Sequence, residues 1–104
     1  MIFHILFNYN QYNKIMDEKI QKVLEEKIRE STSKINEITT LVNSFGQMEN
    51  PNVFGHGIII GRLYNSFYYQ SRRILKRNPT EQEFSEFIQL LKKHENELLE
   101  ISFS

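Results

Sequence analysis

The side chains best suited to chemistry in this sequence lie on a single stripe. Arg62, Ser66, Tyr69, Arg73 and Lys76 recur at steps of four and three, and Tyr68, Arg72 and Arg77 flank them. Such spacing gathers side chains on one face of an α-helix. A guanidinium holds a phosphate or carboxylate through two parallel hydrogen bonds, and a tyrosine ring stacks on a base or anchors a protein contact. Two partner classes therefore fit Arg62, Tyr68, Tyr69, Arg72, Arg73, Lys76 and Arg77: a protein surface and a nucleic-acid backbone. The 104-residue chain carries 13 basic and 13 acidic side chains, for a formal net charge of zero. A non-specific nucleic-acid coat needs a basic surplus, so a protein partner is the favoured reading and nucleic acid the alternative. Acids that could answer the stripe follow it, with Glu81, Glu83, Glu86, Glu95, Glu97 and Glu100 set against only Lys92 and Lys93. Those charges would be matched inside a bundle or across a subunit contact.

Other chemistry has little to stand on. The absence of cysteine excludes disulfides and thiolate metal sites. His4, His56 and His94 are isolated from one another and lie in no H-x-x-x-H or E-x-x-H pattern, so no metal is expected. Gly55-His56-Gly57 and Gly61 resemble a loop that presents N–H groups to an anion at a helix start. However, Asn50-Pro51-Asn52 breaks the strand that a dinucleotide fingerprint requires. No G-x-S-x-G motif is present. Neither catalytic residues nor a cofactor are expected, and the third option is an enzyme or small-ligand site near His56, Tyr64 and Arg72.

Helices must position the stripe. Alanine is absent, so helix propensity rests on Leu, Glu, Lys, Gln and Arg. Residues 14–45 read as one long helix capped by Asn13, with Leu24, Ile28, Ser31, Ile35, Ile38, Val42 and Phe45 as its apolar seam. Ser31-Thr32-Ser33 is its weak point, where three poor helix formers stand together. Residues 46–57 read as a loop, with Gly46 as a C-cap glycine. A second helix is expected over 58–77, with Ile60, Tyr64, Phe67, Ser71 and Ile74 inward and Leu63 and Leu75 beside them, ending at Asn78-Pro79. Thr80-Glu81-Gln82-Glu83 is a capping box that opens a third helix. Its expected apolar face is Phe84, Phe87, Ile88, Leu91, Leu98 and Ile101, with His94 at a seam position.

The expected architecture is all-α: a three-helix bundle made of one long N-terminal helix and an antiparallel helical hairpin, assembling as a homodimer. An uncut first helix would be roughly 50 Å long and would overhang its partners by about ten residues, leaving an apolar seam for a second copy to cover. The alternative is a bend at Ser31-Thr32-Ser33 that lets both halves cover one core. Residues 1–13 form a separate apolar and Asn-rich segment, and 14–104 the helical domain. Ile2, Phe3, Leu6 and Phe7 either cap the core or belong to an extension upstream of a start at Met16. No apolar run approaches a membrane span and no signal-peptide pattern is present, so a cytoplasmic protein without membrane partners is expected.

Overall fold

The computed structural model describes residues 15–46 and 49–103, and every regular element among them is helical. Five α-helices follow one another: α1 (Glu18–Glu30), α2 (Ile35–Asn43), α3 (Pro51–Gln70), α4 (Glu81–Lys93) and α5 (Glu95–Leu99). A 3₁₀ turn (Ser31–Lys34) joins α1 to α2, and a π turn (Ser71–Leu75) extends α3. No helix among the described residues is long and apolar enough to cross a membrane.

The first expected helix is cut at its weak point. Ser31 Oγ donates to the Lys27 carbonyl at 3.1 Å, Thr32 Oγ1 to Arg29 at 3.1 Å and Ser33 Oγ to Glu30 at 2.7 Å. Three consecutive hydroxyls feeding back on the preceding turn compete with the i→i−4 ladder and tighten it. Both halves then reach the same core, with Ile20, Leu24, Ile28, Ile38 and Val42 buried. The seam is therefore correct as far as Val42, but the continuous helix is not, and with it goes the overhang that argued for a second copy. The start also differs. Asn13 lies outside the described residues, and Asp17 caps α1 by accepting from Lys19 N at 2.8 Å and Ile20 N at 3.2 Å. At the other end α2 stops at Asn43 and Phe45 is exposed. Gly46 has no positive φ and is not a left-handed cap.

The expected loop over 46–57 is the largest correction. Pro51 occupies the first helical position and Asn50 Oδ1 accepts from Val53 N at 3.2 Å, so α3 starts seven residues before Ile58. Proline suits that position, because its fixed φ is helical and its missing N–H would be unpaired anyway. Gly55 and Gly57 then lie inside the helix, without positive φ. Gly55 is a packing glycine: a Cβ there would overlap the Phe103 ring. Phe103 is wholly buried, its N–H donates to Asn52 Oδ1 at 2.7 Å, and the Ile101 carbonyl lies 2.7 Å from His56 Nε2. The C-terminal tail is thus strapped to the first two turns of α3.

Farther along, α3 buries Ile59, Leu63, Ser66, Phe67 and Ser71, whereas Ile60 and Tyr64 are exposed. Phe67 and Ser71 are thus inward as expected and Ile74 is partly buried, whereas in the first half of the helix Ile59 and Leu63 replace Ile60 and Tyr64 on the buried face. The helix ends at Lys76, which adopts φ 60° and ψ 28°. That left-handed conformation costs a residue with a Cβ about 1 kcal/mol, so Lys76→Gly is expected to raise unfolding free energy by up to about 1 kcal/mol in urea titration.

The capping box forms as expected. Thr80 Oγ1 accepts from Glu83 N at 3.1 Å, and Glu83 Oε1 accepts from Thr80 N at 2.8 Å. The buried apolar side chains of α4 and α5 are Phe87, Leu90 and Leu98, with Leu91 and, past the end of α5, Ile101 partly buried and Phe84 and Ile88 exposed. The expected face was therefore centred too near Phe84. Phe67 stacks on Phe87 at 4.6 Å with planes 4° apart. Contacts of Arg77 with Glu83, Phe67 with Phe87, His56 with Ile101 and Asn52 with Phe103 show the last third of the chain running back along α3.

Candidate functional site

The stripe of α3 does not reach a common ligand position. The π turn adds an extra residue to the helix just before its end, which alters the register of everything after Gln70. Arg62 is half-buried and faces α1, and Tyr69 stands on the same flank with more than half its surface exposed. Tyr68 is half-buried, its ring T-shaped to Phe67 and Tyr64, with the Arg72 guanidinium 5.5 Å above its centroid. Arg72 Nε donates to Asn78 Oδ1 at 2.9 Å and Arg73 Nε to Gln70 Oε1 at 3.2 Å. Lys76 is the exposed terminator. Arg77 forks onto Glu83, with Nη1 to Oε1 at 2.7 Å and Nη2 to Oε2 at 3.2 Å.

Among the described residues, that fork is where a cation of α3 meets a carboxylate. Glu83 is buried, and Arg77 with the Thr80 N–H and hydroxyl holds its carboxyl below the usual glutamate range against the opposing effect of burial. Matching the two charged helices inside one chain therefore accounts for Arg77 alone. On its flanks α3 is covered by α1 and α2 and by Phe87 of α4, while Tyr69, Arg72 and Arg73 face outward.

Three surface features surround these residues. The first is a recess of about 370 Å³ between α1 and α3, lined by Lys27, Arg62, Asn65, Ser66, Tyr69 and Gln70. The second is an apolar groove of about 540 Å³ between α2 and α3, where Ile38, Leu41 and Ile58 meet Arg62 and Lys34. Arg62 stands on the ridge between them. The third is an uncharged patch on the α4 side: Ile60, Tyr64, Phe84 and Ile88 are each 37–46% exposed, and the Tyr64 and Phe84 rings meet edge to face at 6.3 Å.

The small-ligand option near His56, Tyr64 and Arg72 is not assembled. His56 serves the C-terminal tail, Tyr64 packs on Phe84, and Arg72 lies over Tyr68. The glycine pattern is helix interior, so its N–H groups are not free for an anion. Among the described residues no three possible ligands cluster to hold a metal. His94 marks the break between α4 and α5, with Nδ1 3.2 Å from Glu97 Oε1. Lys27 is not apparent from the sequence because only the packing of α1 on α3 brings it beside Arg62, whereas Gln70 lies on α3 four residues after Ser66 and continues the same face. Asn52 and Phe103 escaped the sequence reading because the tail strap joins positions 51 residues apart. No protein-family model, curated protein or solved structure matches the chain.

Proposed function

We propose that this chain is a non-catalytic interaction protein whose primary partner is a second copy of itself, docked through Ile60, Tyr64, Phe84 and Ile88 to complete a dimeric helical bundle. The observation that carries the reading is the exposure of four large apolar or aromatic side chains, two on α3 and two on α4, joined by the edge-to-face contact of Tyr64 and Phe84. Contiguous patches of this kind mark interaction sites on small proteins.

Charge placement selects a second copy. Ile60, Tyr64, Tyr68 and Arg72 follow one another at steps of four on α3, and Phe84, Ile88 and Glu95 follow at steps of four and seven along α4 and α5. Arg72 and Arg73 thus lie toward one end of the patch, where Glu83 is already taken by Arg77, and Glu95, Glu97 and Glu100 lie toward the other, beyond Lys92 and Lys93. A two-fold axis through the patch makes the contact self-complementary, and it sets Arg72 of each copy against the second copy's Glu95. Zero net charge removes long-range repulsion between copies.

Sedimentation velocity tests this reading. The wild-type chain is expected to run as a dimer at micromolar concentration, and Tyr64→Asp or Ile88→Glu as a monomer with an unchanged far-ultraviolet spectrum. Both positions are exposed in the single chain, so the fold tolerates a charge there. A wild-type chain that stays monomeric at every concentration defeats the proposal. In that case salt-sensitive retention of an oligonucleotide by Arg72, Arg73 and Lys76 would favour the nucleic-acid reading.

A further inference from the structure

The recess between α1 and α3 contains a group whose bonding is unfinished. Several hydroxyls elsewhere in the helical segments bond back one turn: Ser31 to the Lys27 carbonyl, Thr40 to Asn36 at 3.0 Å, and Ser71 to Phe67 at 2.8 Å. Ser66 departs from that habit. It is 6% exposed and is one of the residues lining the recess, yet its Oγ has no hydrogen-bond partner among the described residues. A buried hydroxyl left unpaired costs stability, which a bound acceptor would recover.

The rest of the lining indicates what that acceptor is. Lys27 and Arg62 supply two positive charges, and among the described residues no carboxylate lines the recess to answer them. Asn65 adds an amide. The Gln70 carbonyl is occupied by Arg73 Nε, which leaves the Gln70 amide nitrogen as a donor. At the mouth stands Tyr69, whose exposed ring offers a stacking face. Donors and cations lining the recess beside an exposed aromatic ring suit a dianion attached to a planar ring. The volume of about 370 Å³ lies within the range of small-molecule sites, roughly 300–1,000 Å³.

We propose that this recess binds a small phosphomonoester carrying a planar base, of the mononucleotide class. Arg62 and Lys27 neutralise the phosphate, Ser66 Oγ, sealed from solvent in the unliganded chain, turns to donate to a phosphate oxygen, and Tyr69 stacks on the base. The recess and the self-association patch lie on opposite flanks of α3, so either can fail without the other.

Calorimetric titration of the full chain with AMP, ribose 5-phosphate, inorganic phosphate and adenosine tests the site. AMP is expected to bind most tightly, the two compounds without a base more weakly, and adenosine weakest. Arg62→Gln and Ser66→Ala should each weaken AMP by about tenfold, the loss of one hydrogen bond to a charged group. Ser66→Ala should also raise Tm by a few degrees, because it removes the unpaired hydroxyl. That opposition of stability and affinity distinguishes a ligand site from a structural serine. Failure of all three phosphate compounds to saturate at millimolar concentration overturns the proposal, as does AMP binding unchanged in both variants. Equal affinity for AMP and ribose 5-phosphate overturns the role given to Tyr69.

Discussion

Phe103→Ala is expected to lower unfolding free energy by about 3–4 kcal/mol, the usual cost of emptying a fully buried aromatic site. Phe103 has no exposed surface, packs on the Gly55 backbone and meets the His56 ring at 5.5 Å. Gly55→Ala acts on the same contact from the other side. Alanine gains about 1 kcal/mol of helix propensity over glycine. Its Cβ, however, needs space that the Phe103 ring already fills. Displacing that ring forfeits roughly 2–3 kcal/mol of burial, so the net effect is a loss of about 1–2 kcal/mol. The two substitutions are coupled. In the Phe103→Ala background the space is open, and Gly55→Ala should then stabilise by about 1 kcal/mol. Urea titrations of the four proteins check the reversal of sign. A Gly55→Ala effect of the same sign in both backgrounds removes the tail strap from the account of the fold.

The second large effect concerns Glu83. This buried carboxylate closes the capping box, receives the Arg77 fork and starts α4, so Glu83→Ala combines the loss of a cap with the loss of a charge-assisted pair. A cost of about 2–3 kcal/mol is expected. Arg77 is half exposed, so water screens its side of the pair, and Arg77→Met should cost less than Glu83→Ala. The pair also gives the protein an acid limb. The folded-state pKa of Glu83 is depressed below its unfolded value, chiefly by Arg77. The stability it contributes is therefore complete above the ordinary glutamate pKa of about 4.3, and is lost as pH falls through the lowered folded value. Glu83→Gln keeps an acceptor for the Thr80 N–H but has no such proton linkage. The stability gap between wild type and Glu83→Gln should thus be wide at neutral pH and narrow in acid. A gap that stays constant across that range would falsify the linkage.

What could be read in the sequence was local. The capping box is a four-residue pattern whose bonds close within one turn, so Thr80 and Glu83 took their expected roles. The apolar steps from Leu24 to Val42 marked a buried face because helical period and burial coincide there. The weakness at Ser31-Thr32-Ser33 was legible too, since hydroxyls competing for carbonyls are a property of those residues themselves. Whether the chain ran through that weak point was decided by tertiary structure: the cut lets Ile28 and Ile38 share one core. Turn chemistry misled around Asn50 to Gly57, where the same Asn-Pro pair serves equally as a helix cap and first residue. Only the arrival of Phe103 shows why a helix there contains Gly55. Arg62, Tyr69 and Ser66 were visible as a stripe, but α1 supplies Lys27 and so turns part of that stripe into a recess. Helix type and caps follow from neighbours along the chain, whereas which side of a helix is left open follows from what packs against it.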